Sequence, residues 1–317
     1  MLHVAFPHSR SYSLYARKKA FEKGAAMNKI LGIIILGVFM VQNVFGEQIE
    51  VQGHRGCRAV RPENTLPAFQ HAVELGVGVL EMDIAVTKDN QLVISHDPFI
   101  TPERCLDVDG KPLKDKIAIH TLSLEEVKKY DCGSIKNPKF PNQVTIPHTS
   151  IPTLDEMFDM VMSLGTPQSK KVRFNIETKI YISHPELTPG PEQFAEMLVN
   201  KIKKHGMLAR SIIQSFDYRT LVAAKRIDSS TKTAMLTEGG FYPYAAIAKK
   251  YGFTYISPEY TWINEDAVKE LHAINVQVIP WTPNDPVEWD KLIAIGVDGI
   301  ITDDPEALIN HLKEKPN

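Results

Sequence analysis

Val79-Leu80-Glu81-Met82-Asp83-Ile84-Ala85-Val86, then Thr87-Lys88-Asp89-Asn90, then Gln91-Leu92-Val93-Ile94-Ser95-His96-Asp97, is the stretch that decides the fold. In an extended segment successive side chains alternate between faces, so Leu80, Met82 and Ile84 share one face while Glu81 and Asp83 share the other. The apolar face must be buried against helices, which leaves the two carboxylates pointing into the mouth of a closed sheet. The four-residue connection Thr87–Asn90 predicts that Gln91–Ser95 returns antiparallel as a hairpin, bringing His96 roughly opposite Glu81.

Outward from that hairpin, strand-like and helix-like stretches alternate. The expected strands are Ile49–Gly53, Val79–Ala85, Gln91–Ser95, Val172–Glu177, Ser211–Ser215, Thr233–Leu236, Tyr255–Ser257, Val276–Pro280 and Gly299–Thr302. Helical periodicity marks Leu66–Leu75, Thr153–Met162, Pro191–His205, Tyr218–Ile227, Asn264–Ala273 and Pro286–Ala294, and Thr65 reads as an N-cap. Sustained alternation of this kind is the pattern of parallel βαβ units. Without a glycine-rich dinucleotide fingerprint, it favours a closed (β/α)8, TIM-type barrel over a doubly wound sheet. One barrel of about 250 residues accounts for most of the chain. Asp97–Ile151 interrupts the pattern with about 55 residues, scattered Pro and Lys, and one helix-like piece, Ser123–Tyr130. Connections that long carry function or disorder.

The 317 residues are 43% hydrophobic and 23% charged, which excludes a disordered, collagen-like or coiled-coil chain. The formal charge of −2 is unevenly spread. Residues 1–46 set Arg10, Arg17, Lys18, Lys19, Lys23 and Lys29 against Glu22, a net +5 that leaves −7 on the remainder. So acidic a body is unsuited to sequence-independent nucleic-acid binding. The apolar run Ile30–Val41 is too short for a bilayer core, which needs roughly 20 residues. Lys29 precedes it and Val44-x-Gly46 follows, the shape of a secretory signal. The organisation expected is a leader over 1–46, with a signal peptide over 27–46 starting at Met27, and a single barrel domain over 47–317 with its insertion at 97–151. An uncleaved N-terminal anchor is the alternative. The mature chain is expected to be exported, periplasmic or secreted, without a stable membrane span. Nothing in the sequence reads its oligomeric state.

Reactive residues gather at strand ends, where barrels place their active sites. The first strand ends in Gly53-His54-Arg55-Gly56, joining a proton-transfer group to an anion-binding fork, with Gly56 allowing close backbone approach to a ligand. Glu177 ends the strand Val172–Glu177 and Lys179 follows two residues on, on the same side. Glu81, Asp83 and Glu177 offer an all-oxygen site for one hard divalent cation, Ca²⁺ or Mg²⁺. No Cys or His pair has zinc spacing. With Arg55 and Lys179 to hold an anion and two histidines as base and acid, the set points to phosphoryl transfer. A sugar hydrolase using two carboxylates leaves Arg55, Lys179 and both histidines without a role.

As a set, His54-Arg55-Gly56, Pro62-Glu63-Asn64-Thr65, Glu81-x-Asp83, His96-Asp97 and Glu177-x-Lys179 resemble the glycerophosphodiester phosphodiesterases, the phospholipase-C-like phosphodiesterase barrels. The resemblance spans about Gln52 to Ala307. It also takes in Ser215-Phe216-Asp217, Trp281-Thr282-x-Asn284 and Gly299-x-x-Thr302-Asp303-x-Pro305. It implies metal-dependent hydrolysis of a glycerophosphodiester, a small-molecule substrate, to sn-glycerol 3-phosphate and an alcohol. His54 would be the general base and His96 the general acid. Glu81, Asp83 and Glu177 would bind the metal, and Arg55 and Lys179 the phosphate. Trp281 would stand near the glycerol, or else serve as a core aromatic, with Glu63 and Asn64 in support. Alternatives are a phospholipase C or D type enzyme acting on intact lipids and a catalytically inactive phosphodiester-binding protein. Two departures from the family pattern, Asp97-Pro98-Phe99-Ile100-Thr101-Pro102-Glu103-Arg104 and Gln214, are expected to lie away from the metal and proton-transfer positions.

Cys105 and Cys132 both fall in the insertion, whereas Cys57 follows the first active-site strand. In an oxidising compartment a Cys105–Cys132 bond is the pairing that leaves that strand undistorted, with Cys57 a buried thiol. Three free thiols are the alternative. Such a bond would stiffen a cap over the barrel mouth and bear on head-group preference.

Overall fold

The computed structural model describes residues 49–314. The expected leader over 1–46, with its signal peptide, lies outside the described residues. In chain order the elements are β1 (Glu50–Gly53), α1 (Leu66–Leu75), β2 (Val79–Val86), β3 (Leu92–Ile94), β4 (Phe99–Ile100), β5 (Ile117–Ala118), α2 (Leu124–Val127), α3 (Leu154–Ser163), α4 (Pro167–Lys171) and β6 (Arg173–Thr178). Then follow α5 (Pro191–Lys204), β7 (Ser211–Ser215), α6 (Tyr218–Ile227), β8 (Lys232–Thr237), α7 (Tyr244–Tyr251) and β9 (Tyr255–Pro258). The last are α8 (Glu265–His272), β10 (Gln277–Val278), α9 (Pro286–Ala294), β11 (Gly299–Thr302) and α10 (Pro305–Glu314).

Eight parallel strands follow the order β10-β9-β8-β7-β6-β2-β1-β11. The ring closes between its two ends. Asp298 N–H donates to Val278 O (2.9 Å), Ile301 N–H donates to Pro280 O (3.0 Å), and Trp281 bridges Ile301. The TIM-type barrel expected from alternation is therefore present. The early hairpin is present too, with β3 antiparallel to β2 and Ile84 opposite Ile94.

Helix boundaries follow cap chemistry written in the chain. Thr65 accepts from Ala68 N–H at the start of α1, and Gly76 ends that helix in the left-handed region (φ 88°). Thr153 and Glu156 form a reciprocal capping box at α3. Leu80, Met82 and Ile84 of β2 lie in the main apolar core with Phe174 and Ile176 of β6, Phe69 of α1, Phe158 of α3 and Phe194 of α5. Each such side chain, once buried, contributes about 1.5–3 kcal/mol. The inner face is polar instead. Asn175 Nδ2 donates to Gln52 Oε1 and to Gln214 Oε1 (3.0 Å each), and all three side chains are buried. A buried amide layer of this kind is tolerable because its donors find acceptors.

The insertion is an ordered body. β4 and β5 pair antiparallel, and Ile100, Cys105, Ile119, Val127 and Ile151 form a second apolar cluster with Ala85 and Val93 of the hairpin. The helix-like piece is shorter than expected. After α2, capped by Ser123, the chain turns so that Asp131 can bridge to Leu106. Cys105 and Cys132 are bonded (S–S 2.04 Å), and Cys57 is a buried free thiol whose Sγ donates to Ala68 O. Closing this loop should stabilise the insertion by roughly 3 kcal/mol. Reduction is therefore expected to speed amide exchange across residues 98–150 while leaving α5 and α6 protected. Unchanged exchange in the insertion after complete reduction would disprove that coupling. Among the described residues no helix is long and apolar enough to cross a membrane.

Candidate active site

Strand register brings the carboxylates together. Asp83 of β2 pairs with Glu177 of β6, and Glu81 lies two residues before Asp83 on the same inner face. One oxygen from each of Glu81, Asp83 and Glu177 lies within 4.8 Å of the others, and all three residues are buried. Burial, and then repulsion from Asp83 and Glu177, push the Glu81 carboxyl well above the usual range. Against the effect of burial, Lys179 first and His96 next hold Asp83 well below it. Lys179 Nζ lies 2.7 Å from Glu177 Oε1 and 3.1 Å from Asp83 Oδ1. Although near, it is outside hydrogen-bond geometry to Asp83 Oδ1, a buried oxygen left without a donor.

The β1–α1 loop supplies the cations. Arg55 takes up the left-handed region (φ 51°), as does Asn64 (φ 57°), and Asn64 N–H donates to Arg55 O (3.0 Å). Non-glycine residues held there cluster at functional sites. The Arg55 N–H donates to Glu81 Oε2 (2.9 Å), while its guanidinium donates to Glu63 Oε1 (2.8 Å) and lies 3.3 Å from Asp83 Oδ2. Asn64 Nδ2 donates to Asp83 Oδ2 (2.9 Å). Against the effect of desolvation, Arg55, Arg104 and Arg58 hold the partly buried Glu63 down to about 2.

His54 Nδ1 donates to Asp303 Oδ1 (2.5 Å), and its Nε2 lies 3.9 Å from Glu81 Oε2. An ionised carboxylate only accepts, so Asp303 fixes the tautomer with Nε2 unprotonated. Burial pushes the imidazole down to about 4, with Asp303 opposing. Asp303 also accepts from Arg58 Nε (2.5 Å) and from Asn284 Nδ2 (2.8 Å). His96 follows β3. Its Nδ1 meets Asp97 Oδ1 at 2.8 Å. The backbone bond from Ser95 N–H to Asp83 O (2.9 Å) brings His96 beside Asp83 rather than opposite Glu81.

Both histidines, the three carboxylates, Arg55, Lys179 and Trp281 line one cavity of about 260 Å³. Trp281 Nε1 donates to Ser257 O (3.0 Å), and its ring meets Phe216 edge-on at 5.6 Å, so it is a wall residue. A groove of about 870 Å³ opens from the same place, sharing His96, Glu177, Lys179 and Phe216 and running between Phe99 of the insertion and Tyr181.

Three further expectations need correction. Gly56 does not serve approach to a ligand. A Cβ there would meet Ala68 atoms at 2.8–3.0 Å, so the glycine packs the loop on α1. Gln214 is not remote, since its Nε2 donates to Glu81 Oε1 (2.7 Å). The segment 97–104 is not remote either. Asp97 holds His96, and Arg104 Nη1 donates to Glu63 Oε1 (2.9 Å). Sequence reasoning assigned no role to Asp303 or Arg58. The run Gly299-x-x-Thr302-Asp303 at the end of the last strand was the available signal for the first.

A barrel mouth that gathers oxygen ligands for a cation beside guanidinium and ammonium groups for an anion is that of a phosphoester-processing enzyme. Comparison with known proteins narrows the class. The profile of the glycerophosphoryl diester phosphodiesterase family matches residues 54–307. A glycerophosphodiester phosphodiesterase of Caldanaerobacter subterraneus is 34% identical over 264 residues, covering 83% of this chain and 98% of that one. Two solved structures share the fold. A phosphodiesterase of Oleispira antarctica, in complex with the product sn-glycerol-3-phosphate, has a TM-score of 0.68 at 22% identity and covers 84% of this chain and 97% of its own. A glycerophosphodiester phosphodiesterase of Thermotoga maritima has a TM-score of 0.60 at 24% identity, covering 83% and 97%. The chain belongs to the glycerophosphoryl diester phosphodiesterase family and is a hydrolase of that class.

Proposed function

We propose that the chain hydrolyses glycerophosphodiesters, the deacylated head-group diesters of phospholipids, to sn-glycerol 3-phosphate and an alcohol, with one divalent cation, Ca²⁺ or Mg²⁺. The observation that carries this is the pairing of two carboxylate-held histidines across a single cavity that also contains the buried acidic triad. The triad fits a hard cation. Its donors are all oxygens, their charges repel, and Asp83 Oδ1 is buried without a donor. A bound cation would neutralise charge on the phosphate and polarise one of its oxygens.

The chain's own residues do the rest. Arg55 and Lys179 border the triad as phosphate contacts, and Trp281 walls the glycerol side. Glu63 fixes the Arg55 fork and Asn64 fixes Asp83. His54 Nε2 takes the proton of the nucleophile as its oxygen bonds to phosphorus; water gives sn-glycerol 3-phosphate directly, whereas the glycerol 2-hydroxyl gives a cyclic phosphate that a water then opens to that product. As the phosphorus–oxygen bond breaks, His96 gives a proton to the departing alcohol. Export of the mature chain belongs to the same reading, supported by the basic, then apolar, run at 27–46.

One observation favours a second reading, action on intact lipids. Ile182, Phe216 and Phe241 are 74%, 43% and 61% exposed, on the loops after β6, β7 and β8 at the triad's end of the barrel. A panel of soluble head-group diesters and phospholipid vesicles, each with and without EDTA, separates the two. The expected result is chelator-sensitive release of sn-glycerol 3-phosphate from the soluble diesters. Preference for vesicles would transfer the proposal to the lipid enzyme, and no turnover of either would leave an inactive binding protein.

A further inference from the structure

His96 differs from His54 in what holds it. His54 sits at the end of a barrel strand and is clamped by Asp303 of the neighbouring loop. His96 lies beyond the end of β3, with its side chain one-third exposed, and the polar group on its ring is the carboxylate of the next residue, Asp97. That carboxylate is itself anchored from the insertion. Arg104 supplies that anchor. Its Nη2 donates to Asp97 Oδ2, and its Nη1 donates to Glu63 Oε1 (2.9 Å), the oxygen that also accepts from Arg55 Nη1 (2.8 Å). A planar guanidinium can span two carboxylates in fixed directions, which a lysine ammonium on a flexible stem cannot.

We infer that Arg104 is a positioning residue for the general acid, clamping Asp97 so that the carboxylate holds His96 Nδ1 and presents Nε2 to the departing alcohol. The inference rests on the reading of His96 as the acid. In the step itself, the Nε2 proton passes to the alcohol oxygen as the phosphorus–oxygen bond breaks, Nδ1–H stays on Asp97, and a neutral imidazole remains. The surrounding segment has supports besides the guanidinium. Cys105, the next residue, is tied to Cys132, β4 pairs with β5, and Ile100 and Ile119 are buried in the insertion's own core.

A positioning role and a structural one separate by leaving group. An alkyl alcohol needs a proton to depart, whereas 4-nitrophenolate leaves as the anion. The test compares Arg104→Met, Arg104→Lys, His96→Ala and the unmodified chain on the ethanolamine and 4-nitrophenyl diesters of sn-glycerol 3-phosphate, at saturating cation. Arg104→Met is expected to lose about 10- to 100-fold in kcat on the ethanolamine diester and less than about threefold on the nitrophenyl diester. Arg104→Lys should show the same asymmetry more weakly, and it carries the test if the methionine variant loses its thermal transition. Equal losses on the two diesters, or no loss on the ethanolamine diester, would overturn the role. His96→Ala keeps the two readings apart. If it shows the asymmetry and the Arg104 variants do not, only the role of Arg104 falls. If it shows none, the assignment of the acid falls and the role of Arg104 with it.

Discussion

Glu81→Ala, Asp83→Ala and Glu177→Ala are each expected to abolish diester hydrolysis and to suppress the rise in melting temperature that Ca²⁺ or Mg²⁺ produces. The thermal effect follows from mass action. A ligand at 100 times its dissociation constant stabilises the folded state by about 2.7 kcal/mol. At roughly 2–4 °C per kcal/mol for a large domain, that rise is easily read. The variants should differ in the apo state. Asp83 faces both Lys179 and Arg55, so its loss leaves a buried guanidinium and a partly buried ammonium each short of a partner. Glu81 is pushed up by burial and by its two neighbours, so Glu81→Gln should fold with little loss and still be inactive. Differential scanning fluorimetry with a cation titration, beside an activity assay, checks all four variants. Full activity in excess EDTA would end the metal reading.

His54→Ala and His96→Ala are expected to cost roughly two to four orders of magnitude in turnover without unfolding the barrel. Neither ring is a core side chain, so no large cavity results. Asp303→Asn should follow His54→Ala in direction. An amide can donate to Nδ1 and so favour the wrong tautomer, with the proton on Nε2. Single-turnover measurement on an alkyl diester separates these effects from product release. An active His54→Ala variant would show that the imidazole is structural and that the base lies elsewhere.

The barrel and most of the candidate site were legible because they rest on short-range signals. Alternation in Val79–Ala85 divides carboxylates from apolar residues, a four-residue turn returns the chain to His96, and Glu177 closes the strand read at Val172–Glu177. Caps such as Thr65 and Thr153 are equally local. What escaped depends on distant partners. Asp303 lies 249 residues from His54, and Gln214 lies 133 from Glu81, so no spacing rule connects them. The constraint on Gly56 is local but lies in packing, a contact with Ala68 on the following helix, which spacing alone does not reveal. The helices α4, α7 and α10 were not picked out. α4 spans only five residues. Two-residue strands such as β4 and β5 carry too little pattern to see.

The closure of the ring has a consequence for the order in which the enzyme comes to life. β1 pairs with β11, His54 N–H donates to Thr302 O (2.9 Å), and Asp303 fixes the imidazole. A chain synthesised from its N-terminus acquires both histidines and all three carboxylates before residue 180, yet the residue that sets the tautomer of His54 comes only at 303. The carboxylates of β2 and β6 are neighbours in the sheet and can meet early. In the proposed mechanism the base is completed last, just after the final strand, so a nascent or C-terminally shortened chain that ends between residues 180 and 302 carries the reactive groups without the arrangement that makes them act together.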